Sequence, residues 1–495
     1  MMIAGVGHRS LLRAARSVAH GQRPAWLHLG RATPEATAAY LDAQPSASLR
    51  VGADDQTVAV GALGVGSPSL WAKDVPRIDG SKHVISSRQG NFLQASINPY
   101  VEPLSQSDEK QSYVESLVLE ELIEGDGISR EAVVVSAVLE DSYLRPALIA
   151  PEERLSKAFV EKGTQLALNE LDVEILDHLV VRVPDELVGS SQLSTLQDAL
   201  SRATEALEGL CSSGKIRSFG FALPINAMAE RDLETLVRRT LQPLSTSNRG
   251  LASLQLPMAI GGSALPLPAP LNDLKDAAGL CIVADKVFAT SLSNGKPFAL
   301  RTYTPHLGED VALLLKSAFN LAISIERKYM ETILPNHSHL KLPTAEDVAW
   351  AHILANQHAQ FDNLEEWNYI RETQIQPRFE LTVREFDPYE ELKEFGFAYS
   401  MAIRELLKCF TASVELVDAS RAENLTTALK DAKLLVGGEQ SLEHLAIHAA
   451  LSGGADIVLV EEQLGKQSLS KMDASMSRAQ VEEIGRIVHP HLQVE

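Results

Sequence analysis

Short apolar runs alternate with longer amphipathic stretches along most of the chain. Eight runs have the length and the β-branched content of buried strands. They are VAVGALGV (58–65), FLQASI (92–97), AVVVSAVL (132–139), LDHLVVRV (176–183), IRSFGFAL (216–223), LASLQLPM (251–258), GLCIVAD (279–285) and ADIVLV (455–460). Helical spacing predicts helices between them, over 112–125, 155–171 and 193–215. Strands that alternate with helices indicate a parallel sheet with crossover helices.

A repeat of more than six strand–helix units without a dinucleotide-binding fingerprint favours a closed barrel over an open sheet. The predicted fold class is therefore α/β, a (β/α)8 TIM-type barrel. The rhythm is interrupted over 302–435, a mostly helical tract with 21 acidic and 13 basic residues. This tract is predicted to be a long insertion before the last βα unit. The predicted domains are a targeting-like segment (1–34), the first part of the barrel (35–301), the insertion (302–435) and the barrel completion with a tail (436–495).

Composition excludes several classes of protein. Of the 495 residues, 45% are hydrophobic and 22% are charged, which is typical of a globular protein. The net charge of -20 opposes binding to a phosphate backbone, so no direct sequence-specific nucleic-acid binding is expected. No apolar stretch is long enough to predict a membrane span. The three cysteines stand far apart, without the spacing of a metal site or a disulfide framework.

The first residues of the chain differ in charge from the rest. No acidic residue precedes Glu35, whereas five arginines do, and in RSLLRAARSVAH the arginines recur every three or four residues. Such a helix is basic on one side and apolar on another, which is typical of an import signal and predicts a mitochondrial, matrix-side location. The alternative is an exposed basic helix of a cytosolic protein.

Aromatic residues concentrate in the inserted tract. Nine of the chain's 26 fall within 361–399, among them Trp367, Phe386 and Phe397. They predict either the core of a small helical subdomain or a surface that docks other proteins.

Several segments together resemble the aldo-keto reductase family. EALEGLCSSGKIRSFGFA (205–222) resembles its helix-turn-strand with a Gly-Lys-Ile/Val-Arg turn, and LDVEILDHLVVRVPDE (171–186) resembles the strand that ends in His. FLQASINPY (92–100), ISREAVVVSAVL (128–139), LASLQLPM (251–258) and 441–469 resemble further segments in the same order. The resemblance covers roughly 58–300 and 436–490, and implies a (β/α)8 barrel that reduces carbonyls with NADPH.

The chemistry of that family needs a Tyr acid, a Lys that eases its proton transfer, an Asp that holds the Lys and a His that orients the carbonyl. At the matching positions the chain has Gln94 for Asp, Val138 for Lys and Arg182 for His, and Tyr100 alone matches. Without a neighbouring cation, a Tyr of pKa near 10 is a slow donor. The sequence therefore predicts no catalytic residues.

The cofactor-binding positions also depart from the family. The turn after the last strand is VEEQLGK (460–466), in which Glu461 and Glu462 would repel a phosphate. The residual candidates for binding a cofactor are Gln255 and Lys286. No cofactor is expected on this reading, and no metal, because the pairs His337/His339 and His444/His448 lack further ligands.

Three functions are compatible with these observations. The first is a non-catalytic aldo-keto-reductase-like scaffold subunit of a mitochondrial assembly, either a respiratory or ATP synthase complex or the periphery of the mitochondrial ribosome. Its partners would be other protein subunits, contacted through 302–435. The alternative is an active NADPH-dependent carbonyl reductase with a divergent site, in which Arg182 polarises the carbonyl and Lys286 reaches a phosphate. The third function is that of a barrel that binds a nucleotide but catalyses no reaction.

Overall fold

The computed structural model describes most of the chain from residue 30 onward. The described residues are 30–41, 47–51, 56–66, 85, 90–97, 99, 118–140, 149–188, 192–247, 250–262, 264–292, 296–301, 303, 310–435, 441–460 and 476–492. They form two compact units. The barrel unit takes the described residues of Met1–Pro257, Leu267–Asp285 and Gly454–Ser468, and the helical unit takes those of Met258–Pro266, Lys286–Gly453 and Leu469–Glu495.

Twelve strands are described. They are β1 (Ala47–Arg50), β2 (Thr57–Val60), β3 (Leu63–Gly66), β4 (Gly90–Ile97), β5 (Val134–Leu139), β6 (His178–Arg182), β7 (Phe219–Ala222), β8 (Leu251–Pro257), β9 (Cys281–Asp285), β10 (Ala289–Ser291), β11 (Pro297–Ala299) and β12 (Ile457–Val460). Eight of them form a closed parallel barrel in the order β12-β3-β4-β5-β6-β7-β8-β9. The prediction of a (β/α)8 barrel with a long helical region near the C-terminus is confirmed.

The first predicted strand is in fact two. Residues 57–60 pair with β1 as an antiparallel hairpin, whereas 63–66 enter the barrel between β12 and β4. The chain turns at Gly61 and Ala62, which belong to neither strand. An uninterrupted apolar pattern does not reveal such a turn, because β3 is fully buried and β2 is buried at Val58 and Val60.

The helices of the barrel unit precede or connect its strands. They are α1 (Pro34–Tyr40), α2 (Lys157–Leu171), α3 (Leu193–Ser212), α4 (Glu230–Leu236), α5 (Gln242–Ser247) and α6 (Ala269–Ala278). Their ends follow local rules. Ser156 caps α2 by accepting a hydrogen bond from the Phe159 amide at 3.2 Å, and Gly279, with φ of 61°, ends α6 in the left-handed conformation.

The helical unit contains nine described helices. They are α7 (Val311–Lys328), α8 (Leu334–Asn336), α9 (Ala345–Val348), α10 (Trp350–Gln357), α11 (Leu364–Ile370), α12 (Gln376–Arg384), α13 (Lys393–Asp431), α14 (Leu442–Ser452) and α15 (Arg478–His491). Five residues of the predicted aromatic cluster lie in the core of this unit, namely Trp367, Phe379, Phe386, Phe395 and Tyr399. Trp367 and Phe410 stack with ring centroids 4.3 Å apart, and Phe386 packs edge-on against Phe395 at 5.3 Å. Phe397, by contrast, is 71% exposed. Among the described helices, none is long and apolar enough to cross a membrane.

Candidate functional site

Three charged side chains meet at the carboxyl ends of the barrel strands. Arg182 is the last residue of β6, Asp285 is the last of β9, and Glu140 directly follows β5. Parallel strands bring these ends to one rim. The Arg182 Nε donates to Glu140 Oε2 at 2.5 Å, and its Nη2 donates to Asp285 Oδ2 at 2.8 Å. We call this group the rim triad.

The rim triad is largely shielded from solvent. The side chains of Arg182, Glu140 and Asp285 are 22%, 12% and 7% exposed. Burial acts to lower the pKa of Arg182, but attraction to the two carboxylates and hydrogen bonds with them outweigh burial and raise that pKa above its ordinary value. Arg182 therefore stays charged and is engaged on two sides.

A chain of hydrogen bonds continues from the rim triad into the barrel. The Gln255 Nε2 donates to Asp285 Oδ2 at 2.9 Å, and the Gln94 Nε2 donates to Gln255 Oε1 at 3.0 Å. Both glutamines are 2% exposed. On the other side of the triad, the Ser96 hydroxyl donates to Glu140. Two of the residues singled out from the sequence, Gln94 and Gln255, thus bind each other.

The remaining matched positions have different surroundings. Val138 lies in a small apolar cluster with Val180 and Ala222, so no charge stands where the family's Lys would be. Tyr100, Glu461 and Glu462 lie outside the described residues. Lys286 follows Asp285 directly, with a left-handed φ of 52°, and its carbonyl accepts from the Ala289 amide at 3.0 Å.

A buried histidine lies deeper in the barrel. The His178 Nδ1 is 2.9 Å from Ser218 Oγ, and its Nε2 is 2.7 Å from Ser253 Oγ. Gly220 makes room for this arrangement, since a Cβ there would stand 2.2 Å from Ser253 Oγ and 3.1 Å from His178 Nε2. Burial lowers the pKa of His178 to about 3, so the ring is neutral at physiological pH. Each ring nitrogen is bound to a serine, and the ring is fully buried.

The opposite end of the barrel holds a buried carboxylate. Asp177 precedes β6 and is paired with Arg130 at 2.9 Å and Arg217 at 3.0 Å. It also accepts from the backbone amides of Ala32 at 2.9 Å and Val135 at 3.0 Å. Four donors satisfy one carboxylate, and one of them belongs to the segment that leads into α1. Asp177 is therefore an anchor for that segment, remote in the strand direction from the rim triad.

Sequence reasoning did not find the rim triad. A signal was present, because Glu140, Arg182 and Asp285 each stand at the end of an apolar run, and the runs are parallel strands of one barrel. Charges at equivalent ends of such strands are expected to meet. What the sequence could not supply is the distance around the barrel that separates β9 from β6.

The charges of the rim triad are unfavourable to a phosphate. The triad consists of two carboxylates and a guanidinium that both of them already contact. A phosphate cradle in this fold is made of backbone amides and basic groups. Gln255, the residual candidate for contact with a cofactor, is bound on both sides by Gln94 and Asp285. The rim triad and Gln255 therefore do not fit a dinucleotide phosphate.

No metal centre is apparent in the part of the chain that the structure describes, where no three His, Cys, Asp or Glu side chains group as ligands. His337 and His339 face each other with ring centroids 6.1 Å apart. His444 Nδ1 is 3.0 Å from Ser441 Oγ, the cap of α14.

Comparison with known proteins gives structural likenesses only. The sequence matches no family model and no curated protein. An aldo/keto reductase from Klebsiella pneumoniae, solved with NADP and acetate, is 17% identical, with 48% of this chain and 66% of that chain covered and a TM-score of 0.30. The chain thus spans just under two thirds of that protein's length. An aldo-keto reductase from Bacillus halodurans, a holo form, is 16% identical over 55% and 76%, with a TM-score of 0.32. A glycerol dehydrogenase from Gluconobacter oxydans is 10% identical over 90% and 97%, with a TM-score of 0.39.

The expectation that no cofactor is used is contradicted by these matches. Of two structures of a Klebsiella pneumoniae aldo-keto reductase, one contains NADP and the other NADPH, which points to a nucleotide cofactor among such proteins. The expectation relied on the lost proton-transfer residues and on Glu461 and Glu462. Proton transfer is a separate matter from nucleotide binding, and the two glutamates lie outside the described residues.

The barrel that the resemblance implies is confirmed, since eight of the described strands close into a parallel barrel. The similar solved structures include aldo-keto reductases, at 17% and 16% identity.

Proposed function

We propose that the chain is an aldo-keto-reductase-like barrel that has exchanged carbonyl reduction for a structural role, as a scaffold subunit of a mitochondrial multi-protein assembly. The candidate assemblies are a respiratory or ATP synthase complex and the periphery of the mitochondrial ribosome. The observation that carries the proposal is the rim triad. Its guanidinium is bound by two carboxylates where a reductase needs groups that are free to meet a carbonyl.

Carbonyl reduction requires a proton donor at the carbonyl oxygen. Arg182 has a raised pKa and is a poor acid, and its donors point to Glu140 and Asp285. His178 is neutral and bound to two buried serines. Val138 supplies no charge to a neighbouring acid. The described interior therefore supports hydrogen bonding within the barrel better than proton transfer to a substrate.

The helical unit supports a role in contacting other proteins. Among the described residues, ten large hydrophobic side chains are exposed, and all of them lie between Leu313 and Val417. Exposed apolar groups that form a contiguous patch mark interaction sites. This is why we assign contact with other subunits to 302–435.

The alternative is an active NADPH-dependent oxidoreductase with a divergent site. The solved reductases with NADP or NADPH favour it. It requires Arg182 to leave at least one carboxylate and turn toward a carbonyl. A dinucleotide held without turnover is compatible with the structural role, since the proposal concerns chemistry rather than binding.

An assay of carbonyl reduction distinguishes the scaffold role from the active oxidoreductase. The purified full-length chain is mixed with NADPH and a panel of aldehydes and ketones, and absorbance at the nicotinamide band is followed while protein fluorescence reports dinucleotide binding. We expect no oxidation above that of a heat-inactivated sample. Sustained oxidation that disappears in Arg182→Ala, but not in the surface variant Lys157→Ala, would overturn the proposal.

Location and assembly need a second experiment. Residues 1–34 are fused to a fluorescent protein, alongside a variant in which Arg9, Arg13 and Arg16 are replaced by Glu. We expect mitochondrial import of the first fusion only. Native electrophoresis of mitochondrial extracts should then show the full chain at the mass of a large particle, and recovery purely as a free monomer would contradict the scaffold role.

A further inference from the structure

An apolar groove opens in the helical unit between α12 and the start of α13. It has a volume of about 380 Å³, and its apolar lining comes from Val383, Phe386, Gly396 and Phe397. Gly396 allows α13 to pack closely against Phe386, because a Cβ there would stand 3.1 Å from the Cβ of Phe386. A phenylalanine beside a groove of this size is an unusual element of a solvated surface.

Phe397 is the most exposed of the large hydrophobic residues described, at 71%. Met401 follows one helical turn later on α13 and is 55% exposed. Residues four apart on a helix share a face, so the two side chains extend one apolar strip from the groove. The spacing of such a strip matches the i, i+4 anchors by which an amphipathic helix lies in a groove.

The surroundings of the groove are acidic. Residues 380–394 contain six acidic and two basic residues, a net charge of -4. Asp387 and Lys393 line the groove, and Lys393 is paired with Glu390 at 2.5 Å, which neutralises the cation. The apolar strip is thus bordered by negative charge. Complementary charge on a partner steers association and selects among partners.

We propose that this groove binds a basic amphipathic helix of a partner protein, whose apolar residues enter between α12 and α13 and whose Arg and Lys side chains face the acidic border. The proposal rests on the structural role assigned to 302–435 and names its contact surface and the chemistry of the partner. A second copy of this chain is a poorer occupant, because the chain carries a net charge of -20 and like charges repel.

The test uses the full-length protein and a fluorescein-labelled 18-residue synthetic peptide with Leu at helical i, i+3, i+4 and i+7 positions and Arg elsewhere. A matched peptide carries Glu in place of Arg. Fluorescence anisotropy gives both affinities at two salt concentrations. The variant Phe397→Glu blocks the strip. The matched control is Leu381→Glu, which adds the same charge at a position that is 59% exposed and is not part of the groove lining.

We expect the basic peptide to bind at least tenfold more tightly than the acidic one, Phe397→Glu to weaken it at least tenfold, and Leu381→Glu to weaken it less than twofold. Equal weakening by the two variants would show that peptide binding depends on net charge alone, and would overturn the proposal. So would equal affinity for both peptides, or a dimer in sedimentation that Phe397→Glu dissociates. Circular dichroism confirms that each variant is folded. If the basic peptide does not bind, the proposed scaffold role is unaffected. If the protein turns over carbonyls, the scaffold role is excluded, whereas the result for peptide binding is unaffected.

Discussion

At the scale of single residues, the barrel interior is organised by polar side chains that bind one another. Gln94, Gln255 and the rim triad form one continuous chain of hydrogen bonds. In a low-dielectric interior such a chain is stabilising when every member has a partner, and costly when one is removed. Because removal of one member is costly, the contribution of the network to stability can be measured by mutation.

Arg182→Met should destabilise the protein by about 3 kcal/mol, because it leaves Glu140 and Asp285 facing each other without a cation. Urea unfolding followed by circular dichroism measures the loss. The triple variant Arg182→Met/Glu140→Gln/Asp285→Asn should recover most of it, since the unpaired charges are gone. Lys157→Met, at an exposed pair with Glu161, serves as a control that should change little. A triple variant no more stable than Arg182→Met would contradict the electrostatic reading.

His178 should make stability depend on pH. Its folded pKa is lowered by burial to about 3, below the ordinary 6.5, so the unfolded state binds the proton first. The stabilising contribution is therefore complete above pH 6.5 and is lost as pH falls from 6.5 toward 3. One residue of this kind changes the free energy of unfolding by up to about 1.4 kcal/mol per pH unit.

The measurement is urea unfolding at pH 7, 6 and 5 for the wild type and for His178→Gln. The variant should be less stable at pH 7, because it changes the contacts with Ser218 and Ser253, yet its stability should fall less steeply between pH 6.5 and 5. Parallel slopes in both proteins would show that His178 does not titrate as described.

At the scale of elements, α1 depends on the far end of the barrel. The Ala32 amide donates to Asp177, and the Arg217 guanidinium donates to the Ala32 carbonyl. The segment leading into α1 is therefore held from both sides by buried groups. Thr37 adds a further bond, because its hydroxyl accepts from the Ala59 amide of β2 at 3.1 Å.

Asp177→Asn should destabilise the protein by about 3–5 kcal/mol, since it leaves Arg130 and Arg217 buried without their carboxylate. Hydrogen exchange read by mass spectrometry should show the largest loss of protection in 32–41. Asp198→Asn, an exposed change on α3, is the matched control and should leave that segment protected. Uniform loss of protection across the barrel would argue that Asp177 stabilises the fold without anchoring α1.

The sequence predicted elements better than it predicted sites. Seven of the eight predicted runs are strands with bounds shifted by no more than three residues, because an apolar run between helical stretches has few alternatives. The site was harder. The sequence does not predict the partners of Arg182, since Glu140 and Asp285 lie 42 and 103 residues away along the chain. Asp177 was read as part of a strand, although a carboxylate inside an apolar run needs a buried partner.

At the scale of the whole molecule, charge is the dominant property. With a net charge of -20, the acidic side chains repel one another and oppose the compact state. Removal of residues 1–29 takes away four arginines and brings the net charge to -24. The inserted tract 302–435 has a net charge of -8 and also contains the ten exposed large hydrophobic residues that the structure describes. The acidic side chains that keep this tract solvated and the apolar side chains that can attract partner proteins therefore lie in the same part of the chain.

Raising NaCl from 10 to 200 mM should increase the melting temperature, because salt screens the repulsion between carboxylates. The increase should be larger for the chain without residues 1–29 than for the full chain, by virtue of its extra negative charge. Scanning calorimetry at both salt concentrations measures the difference. A melting temperature that falls with salt in both proteins would show that attractive ion pairs outweigh the repulsion.

The position of β12 has a consequence for how the protein is made. The barrel closes only through residues 457–460, which pair with β3 on one side and β9 on the other. A ribosome, or an import channel that delivers the chain from its N-terminus, releases seven strands and the entire helical tract before the eighth arrives. During that interval, β3 and β9 have unpaired edges that invite pairing with other chains. Production of the protein should therefore depend on chaperones that shield these edges, and truncation before residue 457 should yield aggregates rather than a smaller barrel.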